Sequence, residues 1–171
     1  MIRTLGGGLP LELHSYGLYD LGPVGPLREA LIAAERLKID ISEHRARPLH
    51  GEDLGASDLV LGFERIHIAT AVVDAHAPRD RSFTLPELVH LLGDAEPPSA
   101  GDPLERARLA LRAAHELRGS RLSEEILLEV ADPWAQPNAV YAETATKLAR
   151  LCEDLVPALF GDRAAARGLA S

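Results

Sequence analysis

The 171 residues are enough for one domain with a full hydrophobic core and too few to expect two. With 26 acidic against 18 basic residues the net charge is -8, which disfavours a nucleic-acid partner, since phosphate-backbone binding needs a basic face. No apolar run approaches the roughly 20 residues that span a bilayer, Met1 to Gly8 has no signal-peptide core, and the single cysteine, Cys152, excludes an internal disulfide and a Cys-rich zinc site. A soluble cytoplasmic protein without a membrane partner is the expectation.

In chain order, Met1 to Leu5 followed by Gly6-Gly7-Gly8 reads as the end of a helix closed by glycine. Leu11 to Tyr16 alternates apolar and polar residues and predicts a strand ending at Ser15-Tyr16-Gly17-Leu18. Pro26 opens an amphipathic helix with Leu27, Ala30, Leu31, Ala34 and Leu37 on one face, expected to lie on a sheet. A loop through Ile39 to Leu49 leads to Ser57-Asp58-Leu59-Val60-Leu61-Gly62-Phe63, whose short apolar run predicts a strand buried on both faces. Its carboxyl end delivers Phe63, Glu64 and Arg65 to the place where open α/β sheets bind ligands.

Ile66 to Ala75 reads as a helix and Ser82 to Thr84 as a second short strand. Thr84 and Glu87 form a capping box for a helix over Leu85 to Leu92. Gly93 to Gly101 has loop composition; Asp102, Pro103 and Glu105 then open a helix with Leu104, Ala107, Leu111 and Ala114 on one face, ending near Gly119. A loop centred on Asp132-Pro133-Trp134 precedes a long final helix through Val140, Thr144, Leu148, Leu151 and Leu155, closed by Pro157 and Gly161. Residues 1–161 make the domain and 162–171 a flexible tail.

Four segments in this order, Ile39-Asp40-Ile41-Ser42-x-His44-Arg45-Ala46-Arg47-Pro48-Leu49, Asp58-Leu59-Val60-Leu61, Phe83-Thr84-Leu85-x-Glu87-Leu88 and Asp132-Pro133-Trp134-x-x-Pro137 with Tyr141 downstream, resemble low-molecular-weight protein-tyrosine phosphatases, the actinobacterial type in particular. Ser15-Tyr16-Gly17-Leu18 stands where the family has a Ser-Ala-Gly-Thr segment. The resemblance implies an α/β fold of three layers, a short parallel sheet flanked by helices, and hydrolysis of phosphotyrosine through a phosphocysteine with no metal or other cofactor. The partner it implies is a phosphotyrosine protein or a small aryl phosphate.

One family motif has no counterpart. The phosphate loop, Cys-x-x-x-x-x-Arg, needs a thiolate at a helix amino terminus, inward amides and an Arg fork. Six residues after Cys152 stands Ala158, and Cys152 itself sits among Leu148, Leu151 and Leu155 in a late helix, as a core thiol would. Gly6-Gly7-Gly8 follows a helix instead of opening one. Two readings stand: a truncated text in which Met1 is internal and the first strand and its loop lie upstream, or a pseudophosphatase that has lost its nucleophile. On either, the chain as written is expected to be inactive. In the family the first strand is the middle of a four-stranded sheet, and its loss would leave backbone groups unpaired at about 1 to 3 kcal/mol each, so the chain alone is expected to fold poorly unless Leu11 to Tyr16 moves to pair with Leu59 to Phe63. Arsenate reduction on the same scaffold is a further alternative, opposed by the lack of additional cysteines. A noncatalytic binding module is the alternative of another class.

By resemblance Asp132 is the general acid, against the plain reading of an Asp-Pro turn. Trp134 flanks the substrate ring, Ser15 braces the phosphate loop or caps a turn, and Tyr19 lines the mouth of the pocket. Arg45 and Arg47 suggest an anion site or simply a solvated loop, and the seven His residues show no metal-ligand spacing.

Overall fold

The computed structural model describes residue 2, residues 8–120 and residues 129–161. The expected helix end at Met1 to Leu5 with its glycines up to Gly7, and the tail over 162–171, lie outside the described residues apart from Ile2. The elements are α1 (Arg28–Arg36), β1 (Val60–Gly62), α2 (Arg65–Asp74), a 3-10 turn (Arg79–Arg81), β2 (Ser82–Thr84), α3 (Leu85–Asp94), α4 (Pro103–Ser120) and α5 (Asn138–Phe160).

β1 and β2 pair in parallel, Val60 opposite Ser82, Leu61 opposite Phe83 and Gly62 opposite Thr84. α2 and the 3-10 turn form the crossover that a parallel pair requires. Successive side chains of a strand point to opposite faces, and β1 is packed against on both, although Leu59, Val60 and Leu61 are half-buried and not fully buried as expected. Leu59 and Leu61 pack with the larger core, built on Phe83, Leu88, Leu111, Ala114 and Leu155. Val60 packs instead with Leu49, Ala71, Ala75 and Ala77. The sheet thus lies between α3, α4 and α5 on one side and α2 with its flanking loops on the other.

The local signals read from sequence account for most boundaries. Thr84 Oγ1 accepts the Glu87 N–H at 3.3 Å while Glu87 Oε2 accepts the Thr84 N–H at 3.2 Å, closing the capping box of α3. Asp102 Oδ2 accepts the Glu105 N–H at 2.8 Å and starts α4. Ala107, Leu111 and Ala114 are buried as that helix's inner face. Cys152 is a buried core thiol among Leu155 and Leu159.

Four expectations are corrected. Leu11 to Tyr16 is not a strand: Leu13 is exposed, and among the described residues the nearest pairing is an isolated parallel bridge from Gly17, just after it, to Pro48. An alternating pattern makes a strand only where a neighbour offers both a ladder and an apolar face, and β1 is paired with β2, not with this segment. The described sheet accordingly has two strands. α1 packs chiefly on α5 instead of the sheet, with Ala33 as its buried residue and Leu27 left exposed as the N-cap. Pro157 does not end α5, which runs on to Phe160 and stops at Gly161, a glycine at φ +82° whose N–H bonds the Pro157 carbonyl. Gly93 belongs to α3, which continues to Asp94.

Candidate functional site

The carboxyl end of β1 turns directly into α2, and Gly62 makes the turn possible. A Cβ at Gly62 would lie 2.9 Å from both His67 Cβ and Ile68 Cδ1, so the first turn of α2 folds onto the strand end only because that side chain is absent. Glu64 is the N-cap residue. His67, one turn into the helix, accepts the Phe63 and Glu64 N–H groups on Nδ1 at 3.2 and 3.1 Å, which places its own proton on Nε2.

A second segment is strapped onto this turn. The Val130 N–H bonds the Phe63 carbonyl at 2.8 Å, extending the strand end by one residue pair. Glu129 Oε1 accepts the Arg65 N–H at 2.8 Å, a carboxylate at the positive end of the helix dipole. Glu64 Oε1 accepts the Asp132 N–H at 3.1 Å. From α5, Lys147 Nζ donates to the Glu129 carbonyl at 3.0 Å. Residues 129–132 are therefore held by β1, α2 and α5 together.

Within that loop Asp132 Oδ1 accepts the Trp134 N–H at 3.0 Å, an Asx turn, and the Gln136 N–H closes on the Pro133 carbonyl at 2.9 Å. Asp132 is exposed, and among the described residues its Oδ2 makes no hydrogen bond. Trp134 is 69% and Phe63 45% exposed. The end of β1 thus carries a free carboxylate oxygen and two solvent-facing aromatic rings, groups suited to an aryl ligand with a leaving oxygen. Behind the loop a shallow groove of about 410 Å³ is lined by Val130, Asp132, Pro133, Gln136, Glu143 and Lys147.

Asp132 and Trp134 are joined by the Asx turn; Ser15 and Tyr19 lie on a different segment. Both are exposed, on the segment held by Gly17 to Arg47 and Leu49 to Gly17 backbone bonds, and no hydrogen bond or ring contact among the described residues joins them to the Asp132 loop. Arg45 donates to the Ser42 and His44 carbonyls at 2.8 Å, and Arg47 lies 4.8 Å over the Tyr16 ring, so both stay on their own loop cluster. The two carboxylates that fix the site, Glu64 and Glu129, were not singled out for this role from sequence. Glu64 had a signal, an acidic residue at an N-cap position directly after a buried strand; Glu129 had none.

Replacing Glu64 by Ala removes the acceptor of the Asp132 N–H. Because that amide is exposed and water replaces the bond, stability is expected to fall by only about 0.5 to 1.5 kcal/mol. The loop loses its tether, so the steady-state anisotropy of Trp134, the sole tryptophan, is expected to drop at a temperature well below unfolding. Unchanged anisotropy would show that Glu64 does not hold the loop.

No protein-family model matches the chain, and no curated protein does. Among solved structures, the crystal structure of a low-molecular-weight protein tyrosine phosphatase from T. tengcongensis is similar, with 26% identity and a TM-score of 0.58 over 84% of this chain and 74% of that one. The fold is that of the low-molecular-weight phosphatases: helices around a short parallel sheet, here of two strands. None of the described helices is long and apolar enough to cross a membrane.

Proposed function

We propose that this chain is a homologue of the low-molecular-weight protein-tyrosine phosphatases that carries the leaving-group side of the site and does not itself hydrolyse phosphotyrosine. The observation that carries the reading is the loop 129–136, strapped to the end of β1 by the Phe63 carbonyl and Glu64 and presenting an exposed Asp132 and Trp134. In the proposed roles Asp132 protonates a phenolate leaving group and Trp134 flanks the aryl ring. Tyr19 and Ser15, as pocket mouth and brace of a phosphate loop, rest on the resemblance alone.

The inactive half of the reading rests on Cys152. Its side chain is buried and burial pushes its thiol pKa up, the reverse of what a nucleophilic thiolate requires. Ala158 stands where an Arg fork would have to be. Without that fork, phosphate recognition loses the bidentate charge-assisted bonds that give it strength, so a phosphotyrosine protein or aryl phosphate would be held weakly, through the ring.

Turnover of a chromogenic aryl phosphate by the 171-residue chain tests this. No hydrolysis above buffer is expected. Vanadate-sensitive turnover that disappears in Cys152→Ser would overturn it, because Cys152 would then be the nucleophile.

A further inference from the structure

The turn from β1 into α2 hangs on one ring nitrogen. His67 Nδ1 is the acceptor for both the Phe63 and the Glu64 N–H, at 3.2 and 3.1 Å, and a single lone pair serves the two. In return the side chain of Glu64, the N-cap residue, accepts the His67 backbone N–H, which makes the pair a capping box. Such boxes usually carry Glu or Gln at the third helical position, and neither of those changes its charge near neutral pH. Histidine does, between about pH 5 and 8.

We infer that His67 is a pH-sensitive latch on the loop 129–136: as a neutral ring it holds the turn that tethers Asp132, and as an imidazolium it lets the loop go. Protonation puts a hydrogen on Nδ1, where two backbone N–H groups already point, so the ring has to turn away from them. The Glu64 carboxylate, one helical turn back on the same face, is within reach of the displaced cation. That carboxylate is also the tether of the loop, since Glu64 Oε1 accepts the Asp132 N–H at 3.1 Å. The imidazolium therefore acts twice. It abandons the Phe63 and Glu64 amides, and it competes with Asp132 for Glu64.

The charges on the surrounding elements favour that exchange. Glu129, whose Oε1 accepts the Arg65 N–H, and the exposed Asp132 add negative charge on the strapped loop. Arg65 and the positive pole of the α2 dipole oppose a cation at the helix end. Lys147 on α5 is engaged at the Glu129 carbonyl, and β2, which also packs on α2, brings no charged side chain. The carboxylates keep the protonated ring beside Glu64, while the dipole and the two amides keep it out of the cap.

The anisotropy of Trp134 in the full chain reads the latch, because that ring is the sole tryptophan and lies on the tethered loop. Between about pH 8 and pH 5 the wild-type value is expected to fall to the level of Glu64→Ala, while far-UV circular dichroism keeps its helical signal. In His67→Asn, Oδ1 takes the place of Nδ1 and accepts the same amides without titrating, so the value is expected to stay high throughout. In Glu64→Ala it is expected to be low and independent of pH. A wild-type anisotropy that is flat over this range overturns the proposal. So does a fall that persists in His67→Asn, which assigns it to another group. The nitrogen chemical shifts of the His67 ring in the wild-type chain give a test that needs no variant: at pH 8 they must show Nδ1 unprotonated, and a proton on Nδ1 there overturns the latch as well. None of these readouts involves turnover, so the latch stands or falls apart from the phosphatase reading.

Discussion

Gly62→Val is expected to cost about 3 kcal/mol or more, at the upper end of what overpacking does in a closed site. Even the Cβ of alanine would sit 2.9 Å from His67 Cβ and Ile68 Cδ1 and 3.3 Å from the Glu64 carbonyl. The Ile68 methyl is the tip of a flexible side chain and yields; His67 Cβ is one bond from the helix backbone and moves only if α2 moves. Valine adds two methyls to that crowding, and the strain falls on the turn that positions Glu64 for the Asp132 N–H. Urea unfolding should show a lowered midpoint for Gly62→Ala and a larger fall for Gly62→Val. A valine variant as stable as wild type would mean that α2 does not close over the strand end.

Arg118→Ala is expected to destabilise by about 2 to 4 kcal/mol, somewhat less than loss of a fully buried ion-pair partner because both side chains keep some contact with solvent. Arg118 reaches from α4 to the outer side of β2, where Nη2 donates to the Ser82 carbonyl at 2.7 Å and Nη1 to the Arg79 carbonyl at 3.2 Å. Its Nε lies 2.8 Å from Glu87 Oε1, and the guanidinium stacks 3.8 Å over the Phe83 ring. Burial pulls its pKa below the ordinary arginine value, with Glu87 opposing, yet the group remains a cation. Removing it leaves the Glu87 carboxylate half-buried without its cation and uncovers the carbonyl edge of β2. Arg118→Lys should recover little, since a single ammonium cannot form the fork and the stack together. The Arg118→Met and Glu87→Met double variant should cost less than the sum of the singles. Additive losses in that cycle would show that the two side chains do not act as a pair.

Both residues illustrate what sequence made legible. Glu87 was readable as half of a capping box, because that motif is local and its spacing is fixed by one turn of helix. That the same carboxylate also anchors Arg118, 31 residues away, is not encoded in any local pattern. Likewise the strand at Val60–Gly62 was legible because an apolar run between Asp58 and Gly62 has few other uses. The alternation at Leu11 to Tyr16 misled because it describes how a strand could bury a face without stating whether a neighbour is there to receive it. α1 has the right periodicity, but periodicity fixes only which face is apolar, not that α5 would be what it meets. In the candidate site, Asp132 and Trp134 were proposed from a motif, whereas Glu129 matters only because the fold brings it to the amino terminus of α2, 64 residues before it in the chain.

The most direct measurement joins a strand and a Cys-x-x-x-x-x-Arg loop ahead of residue 1 and follows hydrolysis of phenyl phosphate, whose leaving group needs a proton donor. If the scaffold is a phosphatase site built around Asp132, the folded fusion gains vanadate-sensitive turnover, and Asp132→Asn lowers it by about 10² or more. A folded fusion with no turnover, or with turnover indifferent to Asp132, would contradict the assignment of the loop on β1 as the leaving-group side of a phosphatase.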